Sequence, residues 1–310
     1  MTGTAVQAFG CAAAAAILLV MGVRPAAAQA WVLPERTGAV TVVVQEIDHV
    51  GRMRNDGSRA AVGKAVNLGF DLEVDYAFTD RFSITTTLPY VVSKFTDPNP
   101  PPDPIPFAAV DACRCWRSEF ADFGLTARYN LVNLNRVFML TPSVSVGVPS
   151  HAYDYVGEAV VGRRLKELTL GTVAGQRLDG LLPGLSLQAG YRYSFVEQVM
   201  DIPNNRSNGA VQAGFTFARG FSTRAVFSWQ RTHGGLRMPA EVVVPETPEL
   251  LTEYHRMLRD NYLHVGGGLS YSRGLWEVSG SVLVTARGSN SHDVHVFSVT
   301  VGRLFDIGTR

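Results

Sequence analysis

The sequence predicts an all-β protein: a transmembrane antiparallel β-barrel of about twelve strands that follows an N-terminal signal peptide. Three observations indicate this fold. Apolar and polar residues alternate persistently, the alternating segments are longer than ordinary soluble strands, and the connections between them are alternately long and short. The composition agrees, because charged residues make up only 18% of the 310 residues, below the ~25% of an average soluble domain.

The first element is the signal peptide, predicted over residues 1–28. An apolar run at 11–23 has the length of a signal-peptide core and is too short to cross the ~30 Å hydrocarbon layer of a membrane. Small residues behind it offer cleavage after Ala28 or after Ala30. Residues 29–310 then form one outer-membrane barrel domain.

Twelve later segments alternate with the period of a β-strand. In 66–78 every even position is apolar, whereas the odd positions include Asp71, Glu73 and Asp75. In 161–177 the alternation is broken, and a bulge near Arg163–Lys166 would restore the register. The predicted strands cover 37–50, 66–78, 82–92, 122–131, 137–148, 161–177, 185–195, 208–218, 221–231, 261–271, 275–286 and 293–305.

The lengths of these segments favour a membrane barrel. They exceed the ~5–6 residues of a typical soluble strand and meet the ~9–11 residues that a tilted strand needs to cross a bilayer. Gaps such as 51–64, 93–119 and 232–260 alternate with short gaps such as 79–81 and 219–220. Bacterial outer-membrane barrels have long outside loops and short periplasmic turns, so an even strand count places both chain ends in the periplasm.

The orientation of the two faces separates the membrane barrel from its soluble alternative, a β-sandwich or lipocalin-like barrel. In a membrane the apolar face must meet lipid and the polar face must line an enclosed interior. Aromatic residues cluster where the strands meet the short gaps, as expected for a membrane-interface belt. This belt comprises Tyr76, Phe78, Phe82, Tyr129, Phe138, Phe217, Phe221, Tyr271, Trp276 and Phe305.

Two runs resemble a known family. The run at 74–91, VDYAFTDRFSITTTLPYV, joins two strands through a TDR turn, and the run at 122–132, DFGLTARYNLV, has the same style. Together they resemble the transporter-like outer-membrane barrels of the phenol-degradation (meta-pathway) family, most visibly over 66–147. The resemblance implies an outer-membrane location and a link to aromatic-compound catabolism. Its motifs are structural, so it carries over no ligand-binding residue.

Eleven polar residues are predicted to line the pore. They carry both charge signs, which fits either a constriction that sorts solutes or a network of ion pairs that fills the lumen. We expect at least one of Arg128, Arg192 and Arg224 to lie within ion-pair reach of the three acids on 66–78. The predicted pore-lining residues are Asp71, Glu73, Asp75, Asp122, Arg128, Gln188, Arg192, Gln212, Arg224, His264 and Glu277.

The loop at 93–119 is the most unusual of the long gaps. Its proline-rich run at 97–107 cannot pair in a sheet, so it either reaches the pore mouth or lies on the surface. Cys113 and Cys115 follow it and are either disulfide-bonded to each other or free thiols. No metal-ligand pattern or phosphate-binding loop accompanies them, so neither a metal nor a cofactor is predicted.

These patterns predict a channel of the bacterial outer membrane for the passive uptake of small, aromatic or hydrophobic solutes, through the lumen or a side opening. Its partners would be outer-membrane lipid, a small solute and the barrel assembly machinery. Nucleic acid is excluded because the chain beyond residue 30 has no net charge. A structural or surface-recognition barrel with a plugged lumen is the alternative. An outer-membrane hydrolase using His264 or His295 is a third, but no catalytic set is evident and the chain is predicted not to be an enzyme.

Overall fold

Twelve long antiparallel strands form the wall of a closed barrel in the computed structural model, which describes residues 30–60, 64–96, 115–153, 161–237, 253 and 256–307. They are β1 (Thr37–Met53), β2 (Lys64–Thr79), β3 (Phe82–Thr96), β4 (Asp122–Tyr129), β5 (Phe138–Pro149), β6 (Glu167–Arg177), β7 (Leu185–Val196), β8 (Asn204–Ala218), β9 (Phe221–Gly234), β10 (Asn261–Arg273), β11 (Trp276–Ser289) and β12 (Ser291–Asp306). Three short strands add to the same sheet: Arg59–Ala60, Arg117–Phe120 and Val132–Leu134. The signal peptide prediction falls on residues outside these ranges.

The sheet closes because the last strand pairs with the first. The pairing of β1 with β12 runs from Thr37 opposite Asp306 to Met53 opposite Ser291. Every other long strand pairs with its neighbour in the chain. Lipid offers no hydrogen bonds, so closure is what allows strands to satisfy their backbone groups inside a membrane. In the described ranges no helix is long and apolar enough to cross a membrane.

The two faces of the wall have the orientation that a membrane requires. On β1 the side chains of Val40, Val42 and Val44 are exposed on the outer face, whereas Thr41 between them is only 3% exposed. The same alternation recurs around the barrel, with apolar side chains outside and Ser, Thr and Gln inside. The predicted antiparallel membrane barrel is confirmed, and the soluble alternative with reversed faces is wrong.

One predicted strand begins later than expected. The segment 161–177 is a strand only from Glu167, because residues 161–166 form a loop. Leu165, whose side chain broke the alternation, is buried in this loop against Val196, Val199 and Met257. The predicted bulge near Arg163–Lys166 is therefore wrong: the misplaced apolar side chain packs between loops instead of returning to the sheet.

The two ends of the barrel differ, and we name them the short-turn end and the long-loop end. At the short-turn end Phe221 lies 4.3 Å from Tyr271 and 6.1 Å from Phe217 between ring centroids, as part of the aromatic belt. The turn between β8 and β9 is closed by Gly220, whose φ of 83° favours glycine. The long-loop end carries the connections 97–121, 150–166 and 235–260.

Candidate functional site

All eleven predicted pore-lining residues lie on the inner face of the wall. On β2 the half-buried Asp71, Glu73 and Asp75 alternate with Phe70 and Leu72, which are exposed on the outer face. The other eight also occupy positions that alternate with the outward residues of their strands. These eight are Asp122, Arg128, Gln188, Arg192, Gln212, Arg224, His264 and Glu277.

One arginine reaches the acidic row on β2. The Nη1 atom of Arg128 lies 3.7 Å from Oδ2 of Asp75, and the hydroxyl of Thr85 donates a hydrogen bond to Oδ1 of the same carboxylate at 3.0 Å. The predicted ion pair is confirmed by this contact. It joins β2 to β4 across β3, so it ties three strands of one wall together.

Charged residues pair again near the long-loop end. Arg206 lies 3.2 Å from Glu167, whose carboxylate also accepts a hydrogen bond from the hydroxyl of Thr169 at 2.9 Å. Arg163 lies 3.6 Å from Asp260. Burial lowers the pKa of the Arg163 guanidinium, and the Asp260 carboxylate opposes that shift.

Two loops meet above these pairs and form what we call the loop latch, residues 161–166 and 256–260. Arg256 donates hydrogen bonds to the backbone oxygens of Arg163 and Arg164 at 3.2 and 2.9 Å. Arg163 donates to the backbone oxygen of Leu258 at 3.3 Å. Met257 is fully buried against Leu165. The latch therefore closes over this side of the long-loop end.

Asp122 has a loop partner that sequence reasoning missed. The phenol of Tyr153, which is 1% exposed, donates a hydrogen bond to Oδ1 of Asp122 and accepts one from the backbone N–H of Arg164 at 2.7 Å. Burial, followed by the contact with Asp122, raises the pKa of the Tyr153 phenol. The phenol therefore stays protonated and anchors the loop to the wall. Nothing in the periodic pattern singles out a tyrosine inside a long gap.

The segment before β1 lies inside the barrel at the short-turn end. The backbone N–H of Ala30 donates a hydrogen bond to Oε1 of Gln188 at 3.1 Å, and the hydroxyl of Thr141 donates to the Ala30 oxygen at 2.6 Å. The indole of Trp31 donates to the Arg136 oxygen at 3.2 Å. Ala30 is fully buried. These bonds hold Ala30 inside the barrel.

Glycine makes room for this segment. A side chain at Gly175 on β6 would collide with the Cβ of Ala30 and would come within 3.0 Å of the Trp31 ring. Gln188 is one of the predicted pore-lining residues, but its side chain accepts a hydrogen bond from the backbone of Ala30, in the segment before β1. The short-turn end is therefore narrowed by the chain itself.

The outer face carries an apolar groove on the strands around the β1–β12 junction. Its cavity volume is about 500 Å³, and Gly267 and Gly280 lie in it among larger side chains. The larger side chains are Val44, Glu46, Leu68, Val282, Phe297 and Val299. A side chain at Gly267 would come within 2.7 Å of the Arg224 backbone oxygen, so close packing of the wall requires glycine there.

The two histidines considered for hydrolysis lie on opposite faces of the wall. His264 is on the inner face and stacks on Tyr262 with 4.1 Å between ring centroids, and Ser270 hydrogen-bonds to Ser222. His295 is exposed on the outer face. Within the described ranges no cluster of three or more His, Cys, Asp and Glu residues is placed to hold a metal ion.

A Ser–His contact that sequence reasoning missed occurs on the outer face. The Ser207 hydroxyl lies 2.7 Å from Nε2 of His233 and 2.9 Å from the Tyr191 hydroxyl. Ser207 is 4% exposed. The residues come from three strands, so only the sheet register brings them together.

The predictions for the loop 93–119 are left largely untested. The proline-rich run 97–107 and Cys113 lie outside the described residues, whereas Cys115 is described and exposed. The disulfide between Cys113 and Cys115 stays a prediction.

Comparison with known proteins gives the fold. No protein-family model matches the sequence, and no curated protein matches it. A crystal structure of an outer membrane channel from Pseudomonas putida F1 aligns with a TM-score of 0.69 and 12% identity, over 91% of this chain and 100% of that chain.

Two further structures align more loosely. The translocator domain of the autotransporter NalP from Neisseria meningitidis has a TM-score of 0.49 and 13% identity, over 97% of this chain and 96% of that chain. The CymD monoaromatic hydrocarbon channel has a TM-score of 0.46 and 10% identity, over 88% of this chain and 90% of that chain. The chain is thus similar in fold to an outer-membrane channel, and its closed twelve-stranded barrel belongs in the outer membrane of a Gram-negative bacterium.

Proposed function

We propose that this protein is a passive channel that lets small, aromatic or hydrophobic solutes cross the outer membrane down their gradient. The observation that carries the proposal is Arg192, which points inward from β7 and yet has an exposed side chain. An enclosed wall leaves an inward residue exposed only if the interior has room for solvent. The resemblance to the phenol-degradation family supports an aromatic solute.

The outer-face groove supports a side route for the most apolar solutes. It is lined by valines, Leu68 and Phe297, and a side chain at Gly280 would meet no atom within 4 Å, so there is open space over this glycine. An apolar solute that partitions into lipid would meet this surface without entering water. The lumen and the groove are therefore complementary routes, one for polar solutes and one for apolar solutes.

Single-channel recording and liposome swelling test the channel function directly. We expect stable ion conductance and faster swelling with small aromatic solutes than with sugars of similar mass. Liposomes that contain heat-denatured protein are the control for leakage. Failure to pass any ion or solute would instead support the structural barrel, whose lumen is plugged by the N-terminal segment and the loop latch.

A hydrolase is a second candidate because of the contact between Ser207 and His233. Catalysis would require Ser207 to reach a lipid ester and His233 to be oriented through its other ring nitrogen. Ser207 is 4% exposed, and among the described residues no hydrogen bond reaches Nδ1 of His233. The channel is therefore the better-supported function. Lipid hydrolysis that disappears in Ser207→Ala, but persists in the inner-face control His264→Ala, would reverse this ranking.

The partners of the barrel follow from its location. Its apolar outer face contacts outer-membrane lipid. We further propose that the barrel assembly machinery inserts it, since strands that entered lipid before the sheet had closed would leave backbone groups unpaired. Depletion of that machinery should leave the chain unfolded in the periplasm, detected as loss of the heat-modifiable gel band.

A further inference from the structure

Some charges on the inner face are paired and others are not. Arg128 pairs with Asp75, and Arg206 with Glu167. Among the residues that the structure describes, Asp71, Glu73, Arg192 and Arg224 have no hydrogen-bond or ion-pair partner. Arg224 feels the charge of Glu277, which also lies on the inner face. Asp71, Glu73 and Arg192 are therefore the charges that are available to a solute in the lumen.

These three charges are segregated by sign. Asp71 and Glu73 lie on β2, whereas Arg192 lies on β7, five strands away in a ring of twelve. The two strands are therefore on nearly opposite walls. The charges that act on Glu73 come from Asp71, Asp75 and Arg128, all on β2 and β4. The acidic wall is thus not neutralised by the arginine across the lumen.

A glycine gives Arg192 its position. A Cβ at Gly171 on β6 would come within 2.7 Å of the Cγ of Arg192 and 2.9 Å of the Ser143 hydroxyl. The arginine stem therefore lies across the space that any larger residue at 171 would occupy. Because the side chain is exposed, its guanidinium reaches the solvent of the lumen.

We propose that Asp71 and Glu73 on one wall and Arg192 on the other set a transverse electric field across the lumen, which selects small zwitterionic solutes. A solute with one net charge is attracted by one wall and repelled by the other. A solute with separated ammonium and carboxylate groups aligns with the field and is attracted at both ends. This inference rests on the proposed channel function and names a solute class for its lumen route.

Ion selectivity tests the field through each wall separately. In planar bilayers under a KCl gradient, Arg192→Gln should raise the permeability of K⁺ relative to Cl⁻ about threefold, since one charge within a few ångströms of a passing ion acts in near-bulk water. Asp71→Asn combined with Glu73→Gln should shift the ratio the opposite way. Arg303→Gln is the matched control, because Arg303 lies on the outer face over the Trp276 ring and should leave the ratio unchanged.

Solute selectivity tests the substrate class. Liposome swelling at neutral pH compares L-phenylalanine, a zwitterion, with phenylacetate, an anion, and phenethylamine, a cation, so that the ring is shared and only the charges differ. The wild type should pass phenylalanine fastest. The triple variant Asp71→Asn, Glu73→Gln, Arg192→Gln should lose that preference while still conducting ions.

Two outcomes separate this inference from the channel function. If the wild type conducts but the permeability ratio of K⁺ to Cl⁻ changes in no lumen variant, the proposed field is overturned and the channel function stands. A wild type that passes nothing would overturn both. Gly171→Leu keeps all charges, but its side chain would displace Arg192. It should therefore alter the permeability ratio of K⁺ to Cl⁻. Heat-modifiable gel migration verifies that each variant has closed its barrel.

Discussion

At the short-turn end the barrel is narrowed by backbone, whereas at the long-loop end it is narrowed by charged side chains. The first closure is the segment at 30–36, which is continuous with β1 and hydrogen-bonded to Gln188 and Thr141. The second is the loop latch, in which Arg163 and Arg256 join two loops. A tethered segment must be withdrawn to open a path, whereas the latch is held in part by an ion pair that salt can weaken.

The difference assigns different roles to the two ends. The bonds that hold Ala30 and Trp31 inside the barrel involve no titratable group, so this part of the closure should be insensitive to pH and salt. The latch depends on charges that are partly exposed, since the side chains of Arg163 and Asp260 are 25% and 22% accessible. Screening by salt should therefore weaken the latch more than the N-terminal closure.

The largest effect is expected from removing the N-terminal closure. Deletion of residues 30–34 from the mature chain should raise single-channel conductance several-fold, because the segment occupies the lumen at the short-turn end. Gln188→Ala with Thr141→Val, which removes two of its anchors, should give a smaller rise. Unchanged conductance in the deletion variant would show that the narrowest point lies elsewhere, at the latch.

The next effect is expected from breaking the latch. Asp260→Asn should destabilise the loop contact by about 1–3 kcal/mol, the usual range for leaving a buried polar partner unsatisfied. Limited trypsin digestion should then cleave at Arg256 faster than in the wild type. Lys64→Gln, which removes an exposed ion pair with Asp48, is the control and should not change the cleavage rate.

A smaller effect is expected from the anchor of the 150–166 loop. Tyr153→Phe should destabilise the loop by about 1–2 kcal/mol, because it removes the hydrogen bond to Asp122 and the one from the Arg164 backbone N–H. Since the pKa of Tyr153 is raised, the stabilisation by the protonated phenol is complete below the unfolded pKa of about 10. It is lost only as the pH rises through the higher folded value.

Absorbance titration measures this anchor directly. The difference between the wild type and Tyr153→Phe should appear only at a pH above the ionisation of the exposed tyrosines. A phenol that ionised together with the others would contradict the burial of Tyr153 and its role in the loop.

The smallest effect is expected from the ion pair between Arg128 and Asp75. Arg128→Gln should change the denaturant midpoint by the equivalent of about 0–1 kcal/mol, since Thr85 still hydrogen-bonds to Asp75. A loss well beyond this range would mean that the lumen charges act as one structural network, as in the plugged-barrel alternative.

Loop residues show where prediction from the sequence stops. Leu165 lies within the predicted strand 161–177, where it breaks the alternation, but it packs between loops. Tyr153 and the partner of Ser207 could not be predicted, since each contact joins residues from different connections or strands. Such contacts depend on which distant segments the closed sheet brings together. The alternation of residues along a single strand contains no information about this.

The sequence by itself determined the barrel: which residues form the strands, which face meets lipid, and where the short turns lie. These features depend on a two-residue period and on the absence of hydrogen-bonding partners in lipid, and both can be read along the chain. Only the tertiary structure decided which charges are paired, that the side chain of Arg192 stays exposed, and how each end is narrowed. Those outcomes depend on closure of the ring, because it is closure that places β2 opposite β7 and returns Ala30 to the wall at Gln188.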